Sequence, residues 1–377
     1  MRIAIVNQHP RDVTGGSELQ CDLVARGLVR RGHAVRYVAV SPRGGAVAGE
    51  RLEGLPYEAI RSGTDPGSVV ALCREHRADV IYWRMNRPRL GAVARAAAAH
   101  GIPLVLATAH ADDVSRWPTW DVALRSGPRH VLAGLRRAVR HRRSWGSLRH
   151  VAGVAAQRQD FLERTPVPSQ RLVRNVFDES LLEQVSDGSA VPWAWPRRYV
   201  AWVGNVKPRK RPEELVPLAA TLAELGVDLL VVGAMTDVRS ADLFRPEAVG
   251  PNVYALGGRP LDEVLAIVGG AKALIVTARE EGFSNVMIQA WWQGTPVVSL
   301  GYDPDGLIAR HGLGTVCGER RDAFRDAVAA AARSCGGTDP AAIMGFARRT
   351  FGVDENLEEL EGLFRDVTAG RVSGPGV

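Results

Sequence analysis

Two polar stretches hold residue types that could bind an anion. The first is Glu281-Gly-Phe-Ser-Asn-Val-Met-Ile-Gln-Ala-Trp-Trp-Gln-Gly-Thr-Pro296, which follows the apolar run Ala273-Leu-Ile-Val276. That run reads as a buried parallel strand, followed by a polar loop with Gly282 and Phe283 and by a helix that ends at Gly294. Ser284 or Asn285 can cap this helix and leave the amides of its first turn facing an anion. Glu281 precedes those amides and Gln289 lies about one turn inside the helix, so polar side chains flank the position for sugar hydroxyls. The second stretch is Gly204-Asn-Val-Lys-Pro-Arg-Lys-Arg211, after the strand-like Tyr199-Val-Ala-Trp-Val203. The chain has three lysines, Lys207, Lys210 and Lys272, and two of them fall in this loop while arginine fills most other basic positions. That clustering favours a functional cationic loop over an exposed basic loop without a role.

Elements that position such groups recur along the chain. Ile3 to Val6 reads as a strand. A loop then leads to Gly15-Gly16-Ser17-Glu18 and a helix with Leu19, Leu23, Val24 and Leu28 on one face. Two glycines there let the backbone approach a phosphate closely, and Ser17 with Gln20 has capping-box spacing. Val35 to Val40, Asp79 to Trp83, Pro103 to Ala107 and Val151 to Val154 read as further strands, with helices over Gly91 to His100 and Gln157 to Arg164. His110 follows the strand ending at Ala107, at the carboxyl edge where α/β sites form. Asp112 and Asp113 make no metal motif by themselves. Asp228 to Gly233, Asn252 to Gly257 and Pro296 to Leu300 continue a second series. The Asp303-Pro-Asp305-Gly306 stretch reads as a turn rather than a metal site.

The stretch from Glu281 to Pro296 resembles the signature of retaining glycosyltransferases of family 4. Their motif is Glu, seven residues and Glu, usually as Glu-Gly-Phe, with a later helix ending Gly-x-Pro. Glu281, Gly282, Phe283, Gly294 and Pro296 match it; Gln289 stands where the second Glu is usual. Gly15-Gly16-x-Glu18 is also similar to a family segment, and Leu172 to Asp178 is similar to another, with Val176 for the usual Gly. The resemblance implies the GT-B fold: two Rossmann-like doubly wound α/β domains facing a cleft, with a C-terminal helix crossing back. Its domains would be 1–180 for the acceptor, a linker at 181–197, 198–355 for the nucleotide sugar, and 356–377 for the crossover helix and tail.

By that resemblance Glu281, His110 and Lys210 are the catalytic group. Glu281 would bond donor-sugar hydroxyls and His110 would position the sugar. Lys210, with Gly15, Gly16 and the amides near Ser284 and Asn285, would neutralise the diphosphate. Gln289 would hold the ribose diol, and Gly258 and Arg259 would lie near the base. The family's arginine after Gly204 is replaced by Asn205, a loss that Lys207 would partly offset. The implied reaction moves a sugar from a nucleotide-diphosphate donor, a substrate rather than a cofactor, to an acceptor hydroxyl, with retention and without a bound metal. The departures at Asn205 and Gln289 leave open a non-catalytic, degenerate nucleotide-sugar-binding subunit, and the fold also suits a nucleotide-sugar epimerase.

Composition bounds the partners. With 377 residues, 46% hydrophobic and 24% charged, the chain suits two globular α/β domains. The net charge of +7 divides into +12 for residues 1–180 and −5 for the remainder. Between Arg125 and His150 lie eight arginines and three histidines among apolar residues. That segment reads either as an ordinary solvated helix or as a basic amphipathic one lying on an anionic membrane. In the second case the acceptor would be a glycan or a lipid-linked molecule at the inner face of a membrane; in the first it would be a soluble small molecule. No recognisable module points to nucleic acid. Four scattered cysteines and the absence of a spanning run or signal-like start suit a reduced cytoplasm.

Overall fold

A computed structural model describes residues 1–13, 15–41, 49–85, 89–117, 136, 138–139, 141–182, 194–235, 242–244, 250–333 and 338–370. Most of the expected linker, the tail after 370 and a large part of the Arg125 to His150 segment lie outside the described residues. The chain divides into two compact units, Met1–Val176 with Phe351–Val377, and Phe177–Thr350.

The first unit is built from β1 (Arg2–Asn7), α1 (Gly16–Arg30), β2 (Ala34–Val40), β3 (Glu58–Ser62), α2 (Pro66–Glu75), β4 (Val80–Trp83), α3 (Leu90–Ala98), β5 (Leu104–Ala107), β6 (Gly153–Ala156), α4 (Gln159–Arg164) and β7 (Gln170–Leu172). All seven strands are parallel, in the order β3-β2-β1-β4-β5-β6-β7. Ile3, Ala4, Ile5 and Val6 are wholly buried, as a strand covered by helices on both faces requires. The sequence places β6 two residues early and gives no sign of β3 or β7. Those two are edge strands with polar residues and little apolar run.

The second unit contains β8 (Tyr199–Val203), α5 (Val216–Glu224), β9 (Asp228–Val232), β10 (Val253–Gly257), α6 (Leu261–Gly270), β11 (Leu274–Val276), α7 (Asn285–Trp292), β12 (Val297–Ser299), α8 (Leu307–His311), β13 (Gly314–Val316), α9 (Arg321–Arg333) and α10 (Pro340–Phe351). Its six parallel strands run β10-β9-β8-β11-β12-β13. The Asp303 segment is a turn: Asp305 is left-handed (φ 53°), and the Asp303 carboxylate accepts from Ile308 N at 2.8 Å, tying down the first turn of α8.

The last helix, α11 (Val353–Thr368), packs on the first unit. Leu357, Leu360, Leu363 and Phe364 are fully buried, and the Phe364 ring meets Tyr82 of β4 edge-on at 6.2 Å. Arg31 pairs with Glu361 at 2.7 Å, and Arg171 with Asp366 at 2.9 Å. Gly27 is needed at the crossing with α1, because a Cβ there would lie 2.4 Å from Leu357 Cδ1.

In each sheet the chain reverses its winding direction once. The reversal lies between β1 and β4 in the first unit and between β8 and β11 in the second. Ligands of open α/β sheets collect outside the carboxyl ends of the strands at such points.

Candidate active site

At the reversal point of the second unit, the loop after β8 meets the loop after β11. Gly204 leaves β8 so close to β9 that a Cβ on Gly233, whose φ is +146°, would sit 2.0 Å from the Gly204 carbonyl oxygen. Gly204 N donates to Val232 O at 2.8 Å and Val206 N to Ala234 O at 2.9 Å, so the ladder extends past the strands into the loop. Pro208–Lys210 then form one 3-10 turn, ended by Arg211 in the left-handed region at φ 53°. Arg211 has its guanidinium on Glu319 at 2.6 Å and Glu214 at 2.8 Å. Arg321 also bonds Glu214, at 2.7 and 2.6 Å. The pair of arginines, Arg321 first, holds the Glu214 carboxyl below its ordinary range.

This bracing aims Lys210. Its side chain lies along Gly204, where a Cβ would stand 3.4 Å from Lys210 Cε. Its carbonyl accepts from Thr277 Oγ1 at 2.5 Å, and that hydroxyl in turn accepts from Trp202 Nε1 at 2.9 Å. Lys210 Nζ is in direct ionic contact with the Glu281 carboxylate. The structure thus brings two of the sequence candidates together as one pair, both partly shielded from water.

Glu281, Gly282, Phe283, Ser284 and Gln289 are buried, while Asn285 is half-buried. The loop is fixed from below by Tyr302, whose hydroxyl donates to Gly282 O at 2.7 Å, and Phe283 packs edge-on to Trp291 at 6.5 Å. Ser284 is the N-cap of α7 by its extended backbone, but no side chain caps the helix and Asn285 is its first residue. Asn205 and Lys207 are exposed on the same loop as Lys210. Gly258 and Arg259 are exposed beyond β10; Arg259 donates to Leu256 O at 3.0 Å and pairs with Glu263 at 3.3 Å.

His110, Gly15 and Gly16 belong to the first unit. His110 opens a 3-10 turn over Ala111–Asp113; Asp112 N donates to its Nδ1 at 3.1 Å, so the neutral ring carries its proton on Nε2. Asp113 accepts from the backbone of Ala109 at 2.7 Å and His110 at 2.9 Å, which sets the loop. The expected Ser17 cap is not made. Ser17 Oγ instead donates to Arg84 O at 3.3 Å and accepts from Asn7 at 3.1 Å. The carboxylate that folds over the helix start is Glu18, near enough that a Cβ on Gly15 would touch its Oε2 at 2.2 Å. Burial raises the Glu18 carboxyl above its ordinary range.

Sequence reasoning missed the residues that hold the candidates: Trp202, Thr277, Arg211, Glu214, Glu319 and Tyr302. It also missed Arg84, although this arginine follows β4 directly, at the same kind of strand end that singled out His110. Among the described residues no cluster of His, Cys, Asp and Glu is arranged to hold a metal ion.

Residues 197–334 match the family model described as glycosyl transferases group 1. That match lies within the second unit. The fold is GT-B, and the chain is a glycosyltransferase. Among solved structures, sucrose-phosphate synthase from Thermosynechococcus elongatus is 16% identical with a TM-score of 0.72, over 98% of this chain and 99% of that one. Anabaena HepE in complex with UDP-glucose is 19% identical at a TM-score of 0.65, over 96% and 98%. WaaG, a glycosyltransferase involved in lipopolysaccharide biosynthesis, is 18% identical at 0.60, over 99% and 100%. No curated protein matches in sequence.

Proposed function

We propose that the glycosyltransferase uses a nucleoside-diphosphate sugar, with the diphosphate at the reversal point of the second unit, and transfers the sugar with retention to an acceptor hydroxyl. The observation that carries this reading is the Lys210–Glu281 pair at the opening of α7. In it, a cation suited to the leaving diphosphate touches an acid suited to sugar hydroxyls. The structure of HepE with UDP-glucose supports a uridine donor as the first to test. Gln289 faces the ribose in this reading, and a neutral amide there makes a weaker bond than a carboxylate would. Retention follows from front-face attack, with the leaving phosphate taking the acceptor proton. No metal is required, since Lys210 and backbone amides supply the positive charge.

The first unit takes the acceptor, a glycan or a lipid-linked molecule. Attachment to an anionic membrane from the cytoplasmic side draws support from the +12 charge of residues 1–180. Trp117 adds to it, being 50% exposed beneath the Arg142 guanidinium at 4.8 Å. None of the described helices is long and apolar enough to cross a membrane.

Thermal shift against UDP, GDP, TDP and ADP, followed by NDP release from the matching sugar nucleotides, tests the reading. One diphosphate should stabilise the protein clearly more than the rest, and its sugar conjugate should be turned over. Binding with no turnover on any acceptor would make the chain a non-catalytic subunit. An epimerised donor would make it an epimerase.

A further inference from the structure

The reversal point of the first unit holds a buried cation that the donor chemistry does not use. Arg84 follows β4 directly and is 6% exposed, yet it forms no ion pair with any described residue. Its guanidinium is ringed by neutral acceptors: Tyr82 Oη at 3.3 Å, Gln157 Oε1 at 3.4 Å and Asn175 Oδ1 at 2.6 Å. Only the last is a short bond. Arg84 Nε and Gln157 Nε2 are both shut off from water and have no acceptor. Together they leave three N–H groups unmet, one on the guanidinium and two on the amide. Burying an unpaired charge is costly, and so is burying an unmet donor. Two such defects on neighbouring side chains point to one missing partner, which must be negative and rich in acceptors.

The surroundings are arranged for an occupant rather than for a closed core. Gln157 follows β6 and its backbone N donates to Thr108 Oγ1, beyond β5, at 3.1 Å. Ser17, at the start of α1, bonds the Arg84 carbonyl. These residues stand at the carboxyl ends of the central strands, where the reversal leaves a crevice. Glu18 and Asp113 are the acids whose charge acts on Arg84, and neither is in ionic contact with it. Asp113 is already committed to two backbone amides.

We infer that Arg84 and Gln157, steadied by Asn175, form a phosphate-binding subsite, and that the acceptor is a phosphate monoester or carries one. Three unmet N–H groups suit the three terminal oxygens of a phosphate, and a guanidinium is the side chain that binds such oxygens in a fixed fork. The inference rests on the reading of the first unit as the acceptor side. An oxyanion there has two sources, the acceptor and the donor diphosphate, and the test separates them.

The test is thermal shift with inorganic phosphate, glucose 6-phosphate and UDP, each against sodium chloride of equal ionic strength, on the wild type and on Gln157→Glu. The new carboxylate would pair with Arg84 and fill the site from within. Inorganic phosphate and glucose 6-phosphate should stabilise the wild type, and their affinity should fall at least about tenfold in Gln157→Glu, while UDP binds both forms alike. A loss of UDP binding alone would assign the oxyanion to the donor and overturn the acceptor assignment. Equal phosphate affinity in the two proteins, or no response of the wild type to phosphate or glucose 6-phosphate, would overturn the subsite. Should Gln157→Glu not fold, Arg84→Lys keeps the charge without the fork and should show the same tenfold loss. Sugar transfer is scored separately, so an inactive protein that still binds phosphate through Gln157 would sink the transferase reading and leave the subsite standing.

Discussion

Each reversal point carries a basic side chain, after β4 in the first unit and in the loop after β8 in the second, and the two are treated in opposite ways. In the second unit the cation is a lysine on a flexible stem, 24% exposed in its side chain and in contact with Glu281. In the first it is an arginine, buried and held by neutral amides and a phenol. A lysine ammonium can turn from one partner to another, whereas a guanidinium fork is fixed and always charged. The Lys210–Glu281 pair is self-neutralised until a ligand separates it, which suits a group that must bind a diphosphate as charge develops and then release it. Arg84 keeps its charge unmet and so favours whatever anion reaches it. The difference teaches that cations at the two reversal points need not serve the same purpose.

The largest effect should come from breaking the mobile side of this comparison. Lys210→Ala should reduce turnover by about two to three orders of magnitude, the usual result of losing one charge contact made in the transition state. Steady-state rates at saturating donor check this, and near-normal turnover would remove Lys210 from the site.

Next comes the frame that carries Lys210. Gly233→Ala must push β9 away from the Gly204 carbonyl, since the added carbon falls on backbone rather than on a movable side chain. A loss of about 2–4 kcal/mol in urea unfolding is expected, as for other substitutions that force a strained or overpacked position. Gly15→Ala in the first unit has a normal extended φ and meets only the movable end of Glu18, so it should cost far less. Equal costs would mean the two loops are equally rigid.

Gln289→Glu should tighten nucleotide binding roughly tenfold through a charge-assisted bond to the ribose. Calorimetry checks it, and weaker binding would show that the ribose lies elsewhere.

The smallest effect concerns Glu18. Its carboxyl is raised by burial, so the folded protein holds this proton to higher pH than the unfolded chain does. That stabilisation is present below the ordinary carboxylate range and is lost as pH rises through the raised value. Glu18→Gln should therefore flatten the fall in stability above about pH 4.5. Urea midpoints between pH 4 and 7 measure the slope, and an unchanged slope would place the charge in water.

Much of this architecture was legible in the sequence because its central strands are short apolar runs. Tyr199–Val203 was read to the residue, and β1, β5, β9 and β11 to within one. The polar edge strands β3 and β7 were not, since their pairing is decided by neighbours far along the chain. The Lys210 and Glu281 loops stood out by residue type. Their supports did not: Thr277 and Tyr302 act through side-chain hydrogen bonds to backbone carbonyls, which leave no periodic trace. Arg84 was hidden by abundance, one arginine among many, and only its burial without an acidic partner sets it apart.

The return of α11 to the first unit has a consequence for synthesis. Four of its side chains fill that unit's core, each contributing about 1.5–3 kcal/mol on burial. They leave the ribosome after the whole of the second unit. At roughly 5–20 residues per second, the residues between Val176 and Phe351 take on the order of 10–35 s to make. For that interval the β-sheet holding Arg84 and His110 lacks the helix that seals Tyr82 and Gly27, so the second unit can finish folding before the unit that was begun first.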